Sequence, residues 1–307
     1  MPICERDPWR FQYFEKVFCP PDVKIPTDDI DSYEWYPKFR WVYEKLNIAR
    51  SQNLASGLTG DVPAEFPVFA KPNINLKGMG LNSGVVHNRK EFDQLLTGQM
   101  WMPLFTGEHV STDCAIVNGE VKWIRHALGF PWHEGMFTHW VIETGQRIEL
   151  ESFLSGWVKR NMAGYTGMMN FETIGGKIIE THLRFADQSC DLYGRDWFDA
   201  MVKLYVDGIW EFENVSLIEG YSIPLFASHG KVPPQPPQDL QTEIRNMRGV
   251  SSLQITYYES KAGEAHPKPP GGFRLALVNC TDFNAGLDAR GKLAAAFDGC
   301  EVILPSL

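Results

Sequence analysis

Met168-Met-Asn170-Phe-Glu172-Thr-Ile-Gly-Gly-Lys-Ile-Ile-Glu180-Thr-His182-Leu-Arg184 is the stretch from which this chain is read. Apolar residues lead into Gly175-Gly176, a hairpin signal, and an Ile-rich return follows, so two antiparallel strands are predicted. Side chains two apart on a strand share a face, which groups Glu180, His182 and Arg184, and likewise Asn170 and Glu172. A three-residue loop, Ile174 to Gly176, would set Asn170 opposite Glu180 and bring both groups onto one surface. Carboxylates that close repel one another, and a divalent cation between them is one answer. Arg184 would then serve a phosphate oxygen beside the metal. The alternative is an exposed polar face that meets water.

Upstream, Phe66-Pro-Val-Phe-Ala-Lys71 reads as a short apolar strand ending in a lysine. Asn73-Ile-Asn-Leu-Lys77-Gly78-Met-Gly80-Leu-Asn-Ser-Gly84 follows as a Gly-rich loop. Glycines let backbone N–H groups approach an anion, and the lysine adds a point charge. The loop lacks both the Walker spacing and Gly-x-Gly-x-x-Gly, which argues against a P-loop NTPase and a Rossmann dehydrogenase.

In order, the chain offers a lysine at a helix start (Tyr36-Pro-Lys38) and a strand lysine with a glycine loop (Lys71 to Gly84). A helix (Arg89 to Leu96) and a hinge strand running into Gly107-Glu108-His-Val-Ser111-Thr-Asp113 come next. A hairpin at Gly119 and the Glu180-x-His182-x-Arg184 strand complete the series. No single motif is specific, but the order resembles the ATP-grasp superfamily over roughly residues 36–205. The resemblance implies an α+β fold in which two α/β lobes clasp ATP, with a small C-terminal β-rich lobe beyond them.

Carried over position by position, it implies that Lys38 and Lys71 hold the phosphates. The loop with Lys77, Gly78 and Gly80 would close over them as a lid. Trp101, Met102 and Leu104 would face the adenine, and Glu108 would reach the ribose. Asn170, Glu172, Glu180 and His182 become the metal set, and Arg184 pairs with the γ-phosphate. Arg125, after the Gly119 hairpin, is the candidate for a substrate carboxylate. Three departures stand out. Asn170 replaces an acid, the hinge acid is displaced, and His182 replaces an Asn, which shifts the expected metal from Mg²⁺ toward Mn²⁺.

The 307 residues carry a formal charge of −9 and no basic run, which argues against nucleic acid as a partner. No apolar run is long enough for a membrane span, and the N-terminus shows no secretory pattern. Six cysteines without a Cys-x-x-Cys suggest reduced thiols and a cytoplasmic setting. His126, His133 and His139 show no zinc spacing. Tryptophans near charged residues, such as Trp132 and Trp140, read as packing residues or as a stacking surface.

Residues 1–35 are too short for a complete α/β domain and read as a reduced N-terminal arm. Residues 36–207 form the core, divided into a first small lobe (60–100) and a second lobe (101–207), and 208–307 form the C-terminal β-rich region. Helices are expected over 36–56, 150–162, 191–206 and 285–297. The resemblance implies an ATP-dependent ligase that activates a carboxylate as an acyl-phosphate and couples it to an amine or thiol. A phosphotransferase and a degenerate, non-catalytic nucleotide binder remain as alternatives. The expected partners are small-molecule carboxylate and amine substrates, with a homo-oligomer possible.

Overall fold

The computed structural model describes residues 3–5, 7–76, 80–186, 188–212, 217–258 and 269–305. The N-terminal arm contributes the short parallel pair β1 (Ile3–Cys4) and β2 (Ile25–Pro26), with helices α1 (Phe11–Phe14) and α2 (Asp29–Trp35). Helix α3 (Lys45–Ser51) follows. A small antiparallel sheet is built from β3 (Gly57–Leu58), β4 (Val68–Pro72), β5 (Gly84–Val86) and β6 (Gln99–Pro103), in the order β3-β6-β4-β5, with α4 (Arg89–Phe92) against it.

The large sheet begins with β7 (His109–Val117), β8 (Glu120–Pro131), β9 (Phe137–Ile142), β10 (Gly167–Ile174) and β11 (Lys177–His182). Helices α5 (Ile148–Asn161) and α6 (Trp197–Asp207) interrupt this run. The C-terminal region adds β12 (Gly220–Ala227), α7 (Gln238–Arg245), β13 (Val250–Ile255), β14 (Phe273–Cys280), α8 (Phe283–Ala296) and β15 (Val302–Ile303). The sheet order is β11-β10-β7-β8-β9-β12-β14-β13, with β15 on β12. The C-terminal β-rich region therefore has its own core but continues the second lobe's sheet through β9 and β12.

Helix α5 places Leu154, Trp157 and Val158 on one stripe, the spacing of a helix with one apolar face. Glu149 and Glu151 in its first turn and Lys159 and Arg160 in its last complement its dipole. Its apolar stripe meets Ile116, Met169 and Phe171 of the large sheet. On the opposite sheet face, Met168, Ala115 and Trp123 pack with α6. Alternation along β10 thus sends odd residues into the α5 layer and leaves Asn170 and Glu172 on the other side.

Two expectations change in detail. The hairpin turns on two residues, Gly175 and Gly176, both at positive φ, so Ile174 pairs with Lys177. A Cβ on Gly175 would lie 2.3 Å from the Thr106 carbonyl oxygen, which fixes glycine there. A bulge then leaves Ile179 without a partner in the ladder, and Glu180 lies opposite Glu172, with His182 opposite Asn170. The predicted helix over 36–56 is instead a turn, a 3₁₀ segment at 40–43 and α3, so the helix starts at Lys45 and not near Lys38.

Trp157 is fully buried, tilted against Trp41 and edge-on to Phe171, and its Nε1 donates to Ser51 Oγ at 2.8 Å. Trp157→Ala should cost about 3–5 kcal/mol of unfolding free energy. Chemical denaturation followed by far-UV circular dichroism measures this.

Candidate active site

A cleft of about 1230 Å³ lies between the two sheets. The small sheet supplies Phe69, Lys71 and Met102, with Gly80 to Gly84 at the rim, and the hairpin supplies Asn170, Glu172, Glu180 and His182. Lys71 and Glu180 therefore face one space. The N-terminal arm adds Arg10 and Asp29, and α3 adds Lys45.

Lys71 ends β4 almost fully buried, and its Nζ donates to the Ile179 carbonyl at 2.7 Å. That carbonyl belongs to the bulge residue. Burial, reinforced by the neighbouring Lys45 charge and opposed by Glu180, brings the Lys71 ammonium down to about 8. Glu180 pairs with Lys45 Nζ at 2.9 Å. Burial pushes the Glu180 carboxyl up, but Lys45, His182 and Lys71 together outweigh it and hold it low. Glu172 shows the same balance, with His109 Nε2 at 2.8 Å from its Oε2.

Beneath this face, Asp113 accepts hydrogen bonds from Tyr193 Oη, Asn170 Nδ2 and the Ala186 N–H. Burial still raises its carboxyl to about 6. Asn170 Nδ2 also donates to Ser111 Oγ, so its amide is pinned with the nitrogen turned to β7. At the arm, Asp29 takes Arg184 Nε and Nη2 at 3.0 Å each and meets His182 Nδ1 at 3.0 Å.

Of the residues singled out from sequence, Lys71, Gly80, Met102, Leu104, Asn170, Glu172, Glu180, His182 and Arg184 line the cleft. Lys77 and Gly78 lie outside the described residues. Lys38, Trp101, Glu108 and Arg125 do not line it. Lys38 points its amine at the Ala163 carbonyl, 3.4 Å away. Trp101 turns into the small sheet's own core and donates to the Asp61 carbonyl, the opposite side from Met102. Glu108 is exposed and paired with Arg147. Arg125 is on the cleft's sheet face, opposite Asp113, but too far along the strand. Trp123, Tyr193 and Trp197 cover that end, and Arg125 borders a separate pocket of about 700 Å³. Sequence reading missed Lys45, Asp29 and Asp113. Lys45 was hidden by the helix-start reading of Pro37-Lys38, while Asp113 carried a signal as the last residue of the Gly-x-x-x-Ser-x-Asp segment.

No protein-family model matches the chain, and no curated protein matches it. Solved structures do. An L-amino acid ligase from Bacillus licheniformis superposes with a TM-score of 0.63 at 11% identity, covering 97% of this chain and 84% of that one. The carboxyaminoimidazole ribonucleotide synthase of Aspergillus clavatus, complexed with ATP, gives 0.57 at 10% identity over 83% and 74%. This chain has the ATP-grasp fold. The biotin carboxylase domain of the Hydrogenobacter thermophilus 2-oxoglutarate carboxylase, in complex with MgADP and bicarbonate, gives 0.56 at 11% identity over 87% and 69%. No helix among the described residues is long and apolar enough to cross a membrane.

A metal has limited protein support in this ATP-grasp cleft. Among the described residues no group of three or more His, Cys, Asp or Glu is arranged to hold one. Glu180 Oε1 and His182 Nε2 stand 4.0 Å apart, within the span of two metal–ligand bonds of about 2.1 Å. Two protein donors suit a cation that takes its other ligands from phosphates and water.

Lys71 in the nucleotide-free chain should titrate near pH 8, against an ordinary value of 10.5. Because the folded value lies below the unfolded one, its charge costs stability below about pH 8, and that cost is relieved as pH rises toward 10.5. Spectra of ¹³Cε-labelled lysine, assigned with Lys71→Arg, check this; titration at the ordinary value would contradict it.

Proposed function

We propose that the chain is an ATP-dependent ligase that activates a carboxylate as an acyl-phosphate and joins it to an amine or thiol. The observation that carries this reading is the shared cleft. Lys71 of one lobe and Glu180, His182 and Arg184 of the other face one space on an ATP-grasp fold. The similar structures support it by what they are, a ligase, a synthase and a carboxylase, two of them with adenine nucleotide bound.

In this reading residues 60–100 are the lid lobe, 101–207 the second lobe, and Met102 and Leu104 border the adenine. Lys71 and Lys45 hold phosphate oxygens, exchanging the Ile179 carbonyl and Glu180 for the nucleotide. Glu180 and His182 hold a divalent cation, which would supply charge neutralisation of the triphosphate. Arg184 stabilises charge where the phosphoryl group moves, and Asp29 keeps its guanidinium oriented. The substrate carboxylate attacks the γ-phosphorus, ADP leaves, and the nucleophile then displaces phosphate. The protein positions and neutralises, because phosphoryl transfer asks for little covalent help. The acceptor half of the cleft is walled by Trp132, Phe137 and Trp140, together with Trp9 and Tyr258.

An ADP-release screen with carboxylate–amine pairs tests the reaction. ADP and free phosphate should form only when both co-substrates are present; phosphate retained on a single substrate would indicate a phosphotransferase. Lys71→Ala should weaken ATP binding by about 1.5–3 kcal/mol, the scale of a charged hydrogen bond, as read by calorimetry. Glu180→Gln should abolish turnover while leaving the thermal transition cooperative. Nucleotide affinity unchanged in Lys71→Ala would remove the phosphate role.

A further inference from the structure

The hairpin's His182 is held from behind by a residue of the N-terminal arm. Both Asp29 oxygens lie 3.0 Å from His182 Nδ1, and the imidazole and carboxylate are buried. Asp29 also receives Arg184 Nε and Nη2, and Tyr43 Oη donates to it at 3.2 Å. The two-pronged Arg184 contact is the geometry of an ionised carboxylate. Asp29 is thus an acceptor only. A hydrogen on Nδ1 satisfies both partners, whereas an unprotonated Nδ1 would set its lone pair against an anion. Arg184 Nη2 also approaches Nδ1, but at 3.4 Å, while its bond to Asp29 is 3.0 Å.

With Nδ1 turned to Asp29, Nε2 faces the other side, 4.0 Å from Glu180 Oε1, and is the nitrogen left to a cation. A carboxylate behind an imidazole whose far nitrogen faces a second donor is the arrangement that fixes metal-binding histidines. We propose that Asp29 is a positioning residue that locks His182 in the Nδ1–H tautomer, so that Nε2 and Glu180 together bind a nitrogen-tolerant divalent cation such as Mn²⁺. The segment of residues 1–35 thereby supplies the support of the metal site. This rests on reading the cleft as a nucleotide and cation site.

The full chain labelled with ¹⁵N-histidine gives the first measurement, with His182 assigned by His182→Asn. Wherever the ring carries a single proton, the wild-type spectrum should show it on Nδ1. Zn²⁺ added with a non-hydrolysable ATP analogue should shift Nε2 far more than Nδ1. Mn²⁺ binding, followed by electron paramagnetic resonance with the same analogue, gives the second measurement. Asp29→Asn should weaken Mn²⁺ by roughly 10- to 100-fold, the usual effect of losing such a partner. In the His182→Asn background the same change should cost much less, because Asp29 acts through the imidazole.

A singly protonated ring with its hydrogen on Nε2, or equal losses in both backgrounds, would overturn the proposal; equal losses would mean that Asp29 contributes only its charge. Should Asp29→Asn fail to fold, the wild-type spectrum still decides. Absence of both analogue and Mn²⁺ binding in the wild type would overturn the cleft reading and this proposal together. Binding of both with no dependence on Asp29 would overturn this proposal alone.

Discussion

The contact between Lys71 and the Ile179 carbonyl joins the two halves of this molecule, and much of the cleft's geometry depends on it. An ammonium buried at the end of a strand must find partners, since desolvating it without them is costly. The hairpin offers one because its bulge leaves Ile179 unpaired in the ladder. The same bulge rotates the strand so that Glu180 meets Lys45 and lies across from Glu172. A local irregularity in β11 thereby sets both the contact between lobes and the direction of the acidic side chains.

Charge balance extends the constraint. Glu172, Glu180 and Asp29 are gathered at one end of a mostly apolar cleft and are offset by His109, Lys45, Lys71, His182 and Arg184. Each carboxylate has a cationic or imidazole neighbour within hydrogen-bonding distance, so the face is stable without a ligand. A triphosphate with its cation brings a similar mixture of charges and can exchange partners with these groups. Under the proposed function, these internally paired residues are the ones that exchange their partners for phosphate oxygens and the cation. The cost is that binding must first break internal pairs, which favours ligands that replace every contact.

The arm is integral to this arrangement. Tyr13 Oη lies 2.9 Å from Ser252 Oγ, and Gln12 donates to the Leu253 carbonyl, so the arm is docked on β13 before α2 delivers Asp29 to the hairpin. A short segment can place one carboxylate accurately when both of its flanks are fixed. Asp28 caps α2 by accepting from the Asp31 N–H, which sets the helix start at Asp29.

By itself the sequence determined the hairpin, the strand lysine, the helices α5, α6 and α8, and the common face of Asn170, Glu172, Glu180 and His182. These follow from local rules: a Gly-Gly turn, alternation with period two, and apolar spacing near 3.6. Register was not legible, because a bulge changes it by one residue without altering composition. Lys38 and Lys45 are equally plausible from local pattern, and the 3₁₀ winding of Arg40–Tyr43 decided which of them meets Glu180. Arg125 was singled out for its place after the Gly119 hairpin, but only the packing of Trp123, Tyr193 and Trp197 revealed that its stretch of the strand is covered. Asp29 had no local signal at all. Its role depends on contacts 153 and 155 residues away, and contacts at that separation are made by the docking of whole elements, which no pattern within the arm encodes.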